Sequence, residues 1–130
     1  MKNESHTLTQ RTDIVDRKDI EMLVDRFYEK VREDALLAQQ FAHVDWPKHL
    51  PTMYNFWSSM MLGEQSYRGN PFQKHVNLPL ERQHFNTWIK IFLEVVDGNF
   101  KGGKADEIKK RAQQIAEVFQ YRMNLMNETH

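Results

Sequence analysis

The residues of this sequence best suited to chemistry are a histidine set between helix breakers and three side chains that carry a polar tip on an aromatic ring. His75 stands in the run Tyr67 to Trp88, YRGNPFQKHVNLPLERQHFNTW, with Gly69 and Pro71 before it and Pro79 after it. Proline in a helix interior removes a hydrogen bond and clashes with the preceding turn, so the element that carries His75 must be short. A short turn pinned at both ends holds an imidazole at fixed height over a flat ligand, with Val76 and Leu78 as apolar neighbours. Histidine is the commonest metal ligand among side chains, and we read His75 as the bond between protein and cofactor. A lone histidine near an apolar helix also serves as a hydrogen-bonded structural residue, and this stretch alone leaves both roles open.

Tyr28, His49 and Trp88 fall on three separate helical stretches, each beside an apolar stripe. A buried tyrosine or tryptophan needs a partner for its O–H or N–H. A backbone carbonyl would serve any one of them; together with His75 they imply a polar cluster in an apolar cavity, the layout a small ligand on a metal uses. A carboxylate-bridged di-iron bundle needs a Glu-x-x-His on each of two helices. Glu81 and His84 make one such pair, no second is present, and His84 is expected to face solvent across its helix from Trp88. The chain has no His-Glu-x-x-His, no glycine-rich phosphate loop and no Gly-x-Ser-x-Gly, so hydrolase and nucleotide-binding readings have no support.

The elements that position these residues are helices. From Asp16 the apolar positions Ile20, Leu23, Val24, Phe27, Tyr28 and Val31 follow the three-and-four spacing of one helix face. Asp34 is placed to cap a short second helix that delivers Leu36, Leu37 and Phe41 inward. Asp45-Trp46-Pro47 opens a long helix, since proline in the first turn gives up an N–H that has no partner anyway. Its inward face reads Leu50, Met53, Trp57, Met60 and Met61, and Gly63 ends it. Phe56, adjacent to Trp57, must point elsewhere. Phe85, Trp88, Ile89, Phe92, Val95 and Val96 form the most apolar helix, stopped by Asp97-Gly98-Asn99; after Gly102 and Gly103, Ile108, Ala112, Ile115, Ala116, Phe119 and Met123 mark the last one. No stretch alternates as a half-buried strand, so the fold class is all-α.

With 130 residues, 40% of them hydrophobic, the chain is sized for one domain with a single core. We expect a flexible polar N-terminal extension over 1–16, the domain over 17–126 and a short tail over 127–130. Eighteen basic residues balance 18 acidic ones, which argues against nucleic acid or an anionic membrane as partner. The absence of cysteine excludes disulfides, thiolate-held zinc, iron–sulfur clusters and covalently attached haem. A polar N-terminus without an apolar signal core, and no long apolar run, lead us to expect a cytoplasmic protein.

Six segments carry a resemblance: FYEKVRED at 27–34, DWPKHL at 45–50, FWSSMMLG at 56–63, YRGNPFQKHVNLP at 67–79, HFNTWIKIF at 84–92 and RAQQIA at 111–116. In this order and spacing, from about Ile20 to Phe119, the chain resembles the truncated haemoglobins of group III. The resemblance implies a shortened globin in which two helix pairs sandwich haem b (iron protoporphyrin IX). His75 matches the proximal histidine in a His-x-x-Leu setting, Tyr28 the distal tyrosine, Trp88 the distal tryptophan and His49 the first distal position of the long helix. That last position varies within the group, and His49 is as reasonable a swinging gate as a fixed donor. Met53 matches the apolar residue one turn on, and Phe41 the phenylalanine that wedges the haem. Trp57, Leu78 and Phe85 fall where haem-wall residues are expected, and Tyr67, Arg68 and Lys74 where propionates are held.

The expected function is reversible binding of O₂, CO and NO at haem iron. Hydrogen bonds from Tyr28 and Trp88 would slow ligand release, favouring NO dioxygenation, peroxidase-like activation or ligand sensing over bulk transport, with a reductase as partner. The competing class is a haem-free helical interaction module in which His75, Tyr28 and Trp88 only pack.

Overall fold

A computed structural model of the chain describes residues 11–63 and 81–128, with side chains as far as residue 122. Four α-helices and one 3₁₀ turn make up these residues: α1 (Arg17–Glu33), the 3₁₀ turn (Ala38–Phe41), α2 (Trp46–Leu62), α3 (Arg82–Asn99) and α4 (Gly103–Glu128). Among the described residues there is no strand, only an isolated bridge between Thr12 and Phe100. Helix α1 packs on α2 and α3 packs on α4, and the two pairs meet where α1 crosses α3. The all-α, two-pair architecture expected from the sequence is the one observed.

Each helix starts and stops where local chemistry dictates. Asp16, in extended conformation, caps α1 by accepting from the Asp19 N–H. Asp34 Oδ1 accepts from the N–H groups of Leu36 and Leu37 at 2.9 Å and so turns the chain into the 3₁₀ segment. At the start of α2 the carbonyl of Asp45 receives the Lys48 and His49 N–H groups, with Pro47 in the first turn. Gly63 closes α2 at φ 76°, in the left-handed region where a Cβ is costly.

The inward residues of α1, spaced three and four apart, are Ile20, Leu23, Val24, Phe27, Tyr28 and Val31, all buried. Phe27 is the hub of the packing. Its ring meets Tyr28, Trp88 and Phe92 edge-on at centroid separations of 4.8, 5.4 and 5.1 Å, the geometry that the aromatic quadrupole favours. Phe92 in turn stacks on Trp57 of α2 and on Trp88 of its own helix. These contacts hold α1, α2 and α3 at fixed separation around whatever lies between them.

Thr12 to Asp16, expected to belong to a flexible extension, are tied to the helical body. The Thr12 carbonyl accepts from Lys101 N–H, and Ile14 is buried in the core. Asp13 Oδ2 accepts from Lys104 N–H at 2.9 Å and Oδ1 from Ala105 N–H at 2.8 Å. Gly102, which precedes α4, has no side chain with which to cap it; a carboxylate from 91 residues earlier takes over that role. Local composition reads this segment as polar and aperiodic because its partners are remote in sequence.

Candidate functional site

Between the two helix pairs lies a partly open cavity with a mainly apolar lining. Its walls come from five elements: Tyr28 of α1, Leu37 and Phe41 around the 3₁₀ turn, Met53, Phe56 and Trp57 of α2, His84, Phe85 and Trp88 of α3, and Ile115, Ala116 and Phe119 of α4. The structure thus brings together Tyr28, Phe41, Met53, Trp57, Phe85 and Trp88, six of the residues singled out in the sequence. His75, Tyr67, Arg68, Lys74 and Leu78 lie outside the described residues.

Tyr28 is the one phenol in this mainly apolar wall among the described residues. It is buried, and burial raises its hydroxyl well above the ordinary tyrosine range, with no hydrogen-bonded partner among the described residues contributing to the rise. The phenol therefore keeps its proton, and remains a donor, throughout the physiological pH range. Trp88 is half-buried, its indole plane fixed by stacking on Phe92 at 5.7 Å and 15° and by the edge of Phe27. A ring held on both sides presents its N–H in one orientation at little entropic cost.

His49 occupies a different place. Half-buried in the first turn of α2, it packs edge-on against Tyr28 at 5.6 Å and against Trp46 at 5.5 Å, and it is not among the residues lining the cavity. Trp46 lies under the Arg32 guanidinium at 4.7 Å, so His49 stands between the cavity wall and a charged, exposed edge.

Two expectations are corrected. His84 does not face solvent: it is 8% exposed and lines the cavity. It stands four residues before Trp88, and positions four apart share a helix face. The Glu81–His84 pair is engaged in the start of α3, where His84 Nδ1 accepts from the Glu81 backbone N–H at 2.8 Å. Phe56 does not point away from Trp57. The two rings meet edge-on at 5.1 Å and both reach the cavity, which is wide enough for adjacent helix positions to flank it. Ile115, Ala116 and Phe119 were legible only as a helix face; their spacing did not say what that face would meet.

The family of bacterial-like globins matches residues 13–124 of this chain. The chain is 35% identical over 113 residues to the group 3 truncated hemoglobin ctb of Campylobacter jejuni, covering 82% of this chain and 89% of the relative. The crystal structure of the group III truncated hemoglobin from Campylobacter jejuni superposes with a TM-score of 0.79, at 35% identity, over 88% of this chain and 95% of that one. The chain belongs to the bacterial-like globins, as a truncated haemoglobin of group III. A more distant relative, the group 1 truncated hemoglobin GlbN of a Nostoc species, is 28% identical over 100 residues, which are 76% of this chain and 83% of that protein.

As a truncated haemoglobin, the protein is a haem globin that binds diatomic ligands. The cavity fits a flat macrocycle by its own chemistry. Aromatic and aliphatic side chains of both helix pairs face it, and Tyr28, Trp88 and His84 bring a phenol, an indole and an imidazole to the same wall. No helix among the described residues of this globin is long and apolar enough to cross a membrane.

Proposed function

We propose that the cavity would hold haem b, with His75 as the protein ligand of its iron and with Tyr28 and Trp88 as hydrogen-bond donors to a bound diatomic ligand such as O₂. The observation that carries this reading is the buried Tyr28 side chain in the cavity wall, its phenol held in the protonated form by burial. Haem supplies an iron centre with one open position for a diatomic ligand. The chain's own residues supply the rest. Phe41, Met53, Trp57 and Phe85 exclude water, and the Tyr28 O–H and Trp88 indole N–H orient toward an electronegative ligand atom. Tyr67, Arg68 and Lys74 are the groups we assign to the propionates, and Leu78 to the wall beside His75.

Each hydrogen bond from Tyr28 or Trp88 contributes about 0.5 to 1.5 kcal/mol net. Two of them slow release by roughly one to two powers of ten. Slow release is ill-suited to bulk transport and well suited to chemistry on a retained ligand: oxidation of NO, activation of peroxide, or sensing. The proposed setting is the cytoplasm, with a reductase partner supplying electrons for turnover.

Absorption spectra of the purified protein in its ferric, ferrous and CO-bound forms test the reading. We expect a Soret band in each form and a shift on CO addition. A protein that shows no Soret band after haem supplementation would instead be a helical packing module.

A further inference from the structure

The cavity contains a third polar side chain that neither the hydrogen-bonding pair Tyr28 and Trp88 nor the assigned iron ligand accounts for. His84 is 8% exposed and lines the wall in the first turn of α3, one turn before Trp88 on the same face. The Glu81 N–H points at Nδ1 across 2.8 Å, so that nitrogen must present its lone pair. In a neutral imidazole the proton then resides on Nε2, which becomes a donor of fixed tautomer. The donor at Nδ1 belongs to the backbone, so the tautomer is set by the helix start itself.

We propose that His84 is a hydrogen-bond donor of the haem site, its Nε2–H reserved for an oxygen acceptor of the group that fills the cavity. The acceptor chemistry is the same for two sources, a carboxylate on the porphyrin edge or the oxygen of a diatomic ligand. This inference rests on the haem reading above. It also makes the wall three-sided in its polarity: a phenol from α1, and an indole and an imidazole stacked one turn apart along α3.

The competing role for His84 is purely structural, as the residue that caps α3, and the two roles separate by substitution. His84→Gln can accept from Glu81 N–H and still donate. His84→Glu, the residue type that a capping box prefers at this position, accepts but cannot donate when ionised. His84→Phe does neither. Three measurements are made on each protein: the rate of haem transfer to excess apomyoglobin, the C–O stretching frequency of the ferrous CO form, and the urea midpoint of the haem-free chain.

If the acceptor is a porphyrin carboxylate, His84→Glu and His84→Phe lose haem about tenfold faster than wild type, equivalent to about 1.4 kcal/mol, His84→Gln does so far less, and the C–O stretch is unchanged. If the acceptor is the diatomic ligand, the C–O stretch shifts in His84→Glu and His84→Phe while haem transfer stays near the wild-type rate. Haem loss that simply tracks the haem-free urea midpoint across the series, with no change in C–O stretch, overturns the proposal and leaves His84 a cap. Wild-type protein that acquires no Soret band overturns the haem reading itself, and this assignment with it.

Discussion

The two ends of the helical body satisfy polar groups in opposite ways. Where the N-terminal segment meets the start of α4, hydrogen bonding is dense: Asp13 accepts from three backbone N–H groups, Thr12 from a fourth, and Lys104 Nζ donates to the Met61 carbonyl. The fit there is close enough that a Cβ added to Gly102, at φ +145°, would come within 2.5 Å of Asp13 Cγ. Around the cavity the wall is instead built mainly from aromatic and aliphatic side chains, with the Tyr28 phenol, the Trp88 indole and the His84 imidazole among them. Fully used polar groups lock a fold and leave nothing to bind with. Donors left over in an apolar wall cost stability in the empty protein and are available to a ligand.

Six substitutions put pressure on this contrast. The largest effect is expected on the cavity side, from His75→Ala. Losing the assigned iron ligand should abolish the iron–imidazole vibration of the ferrous protein and weaken haem retention by about a hundredfold or more, on the order of 2.7 kcal/mol. Should His49→Ala or His84→Ala abolish that vibration while His75→Ala leaves it intact, the assignment is wrong. At the locked end, Gly102→Ala forces a side chain into a positive φ and displaces the Asp13 carboxylate. A loss of about 1 to 3 kcal/mol in urea unfolding is expected, with the spectrum of the haem-bound protein unchanged.

Next in size are the ligand-facing donors. Tyr28→Phe and Trp88→Phe should each raise the O₂ dissociation rate about tenfold, on the order of 1.4 kcal/mol. His49→Leu, at the edge of the wall, should change association more than release. Stopped-flow O₂ release from the three variants decides, and a large release effect confined to His49→Leu would reverse the ranking.

A smaller effect comes from replacing the carboxylate of the clasp by an amide. Burial pushes the Asp13 carboxyl up, but hydrogen bonds from the Lys104, Ala105 and Ile14 backbone N–H groups and the Lys104 charge outweigh it, so its pKa lies below the usual value. A depressed folded-state pKa contributes stability above the unfolded value, and that contribution disappears as pH falls through the folded one. Asp13→Asn keeps one acceptor oxygen for the Ile14 and Ala105 N–H groups but sets an NH₂ where Oδ2 accepts from the Lys104 N–H, and should cost about 0.5 to 1.5 kcal/mol near neutrality. The gap to wild type should close below about pH 4, as read from urea midpoints across an acid series.

Much of the fold was legible because helices write themselves into sequence at short range. The spacing of Ile20 to Val31, the proline in the first turn of α2 and Gly63 at its end are local signals, and each corresponds to an observed boundary or buried face. The same periodicity puts Tyr28, Met53, Trp57 and Trp88 on inward faces; the polar tips of Tyr28 and Trp88 mark them as cavity candidates, and the family resemblance adds Met53 and Trp57. Their common location in one wall is a separate fact, decided where α1 crosses α3.

Tertiary structure alone decided the rest, and the reason is distance along the chain. Asp13 caps a helix 91 residues away, and no local pattern marks a carboxylate as the cap of a remote glycine. For His84 the sequence suggests a solvent-facing place across the helix from Trp88. Only the burial of that whole face of α3 turns the imidazole inward. His49 sits in the same register as the other inward residues of α2, yet Tyr28 and Trp46 occupy the space on either side of it and leave it at the edge. Periodicity specifies which side of a helix is apolar; which side chain reaches the cavity depends on the volumes that neighbouring helices bring to the same place.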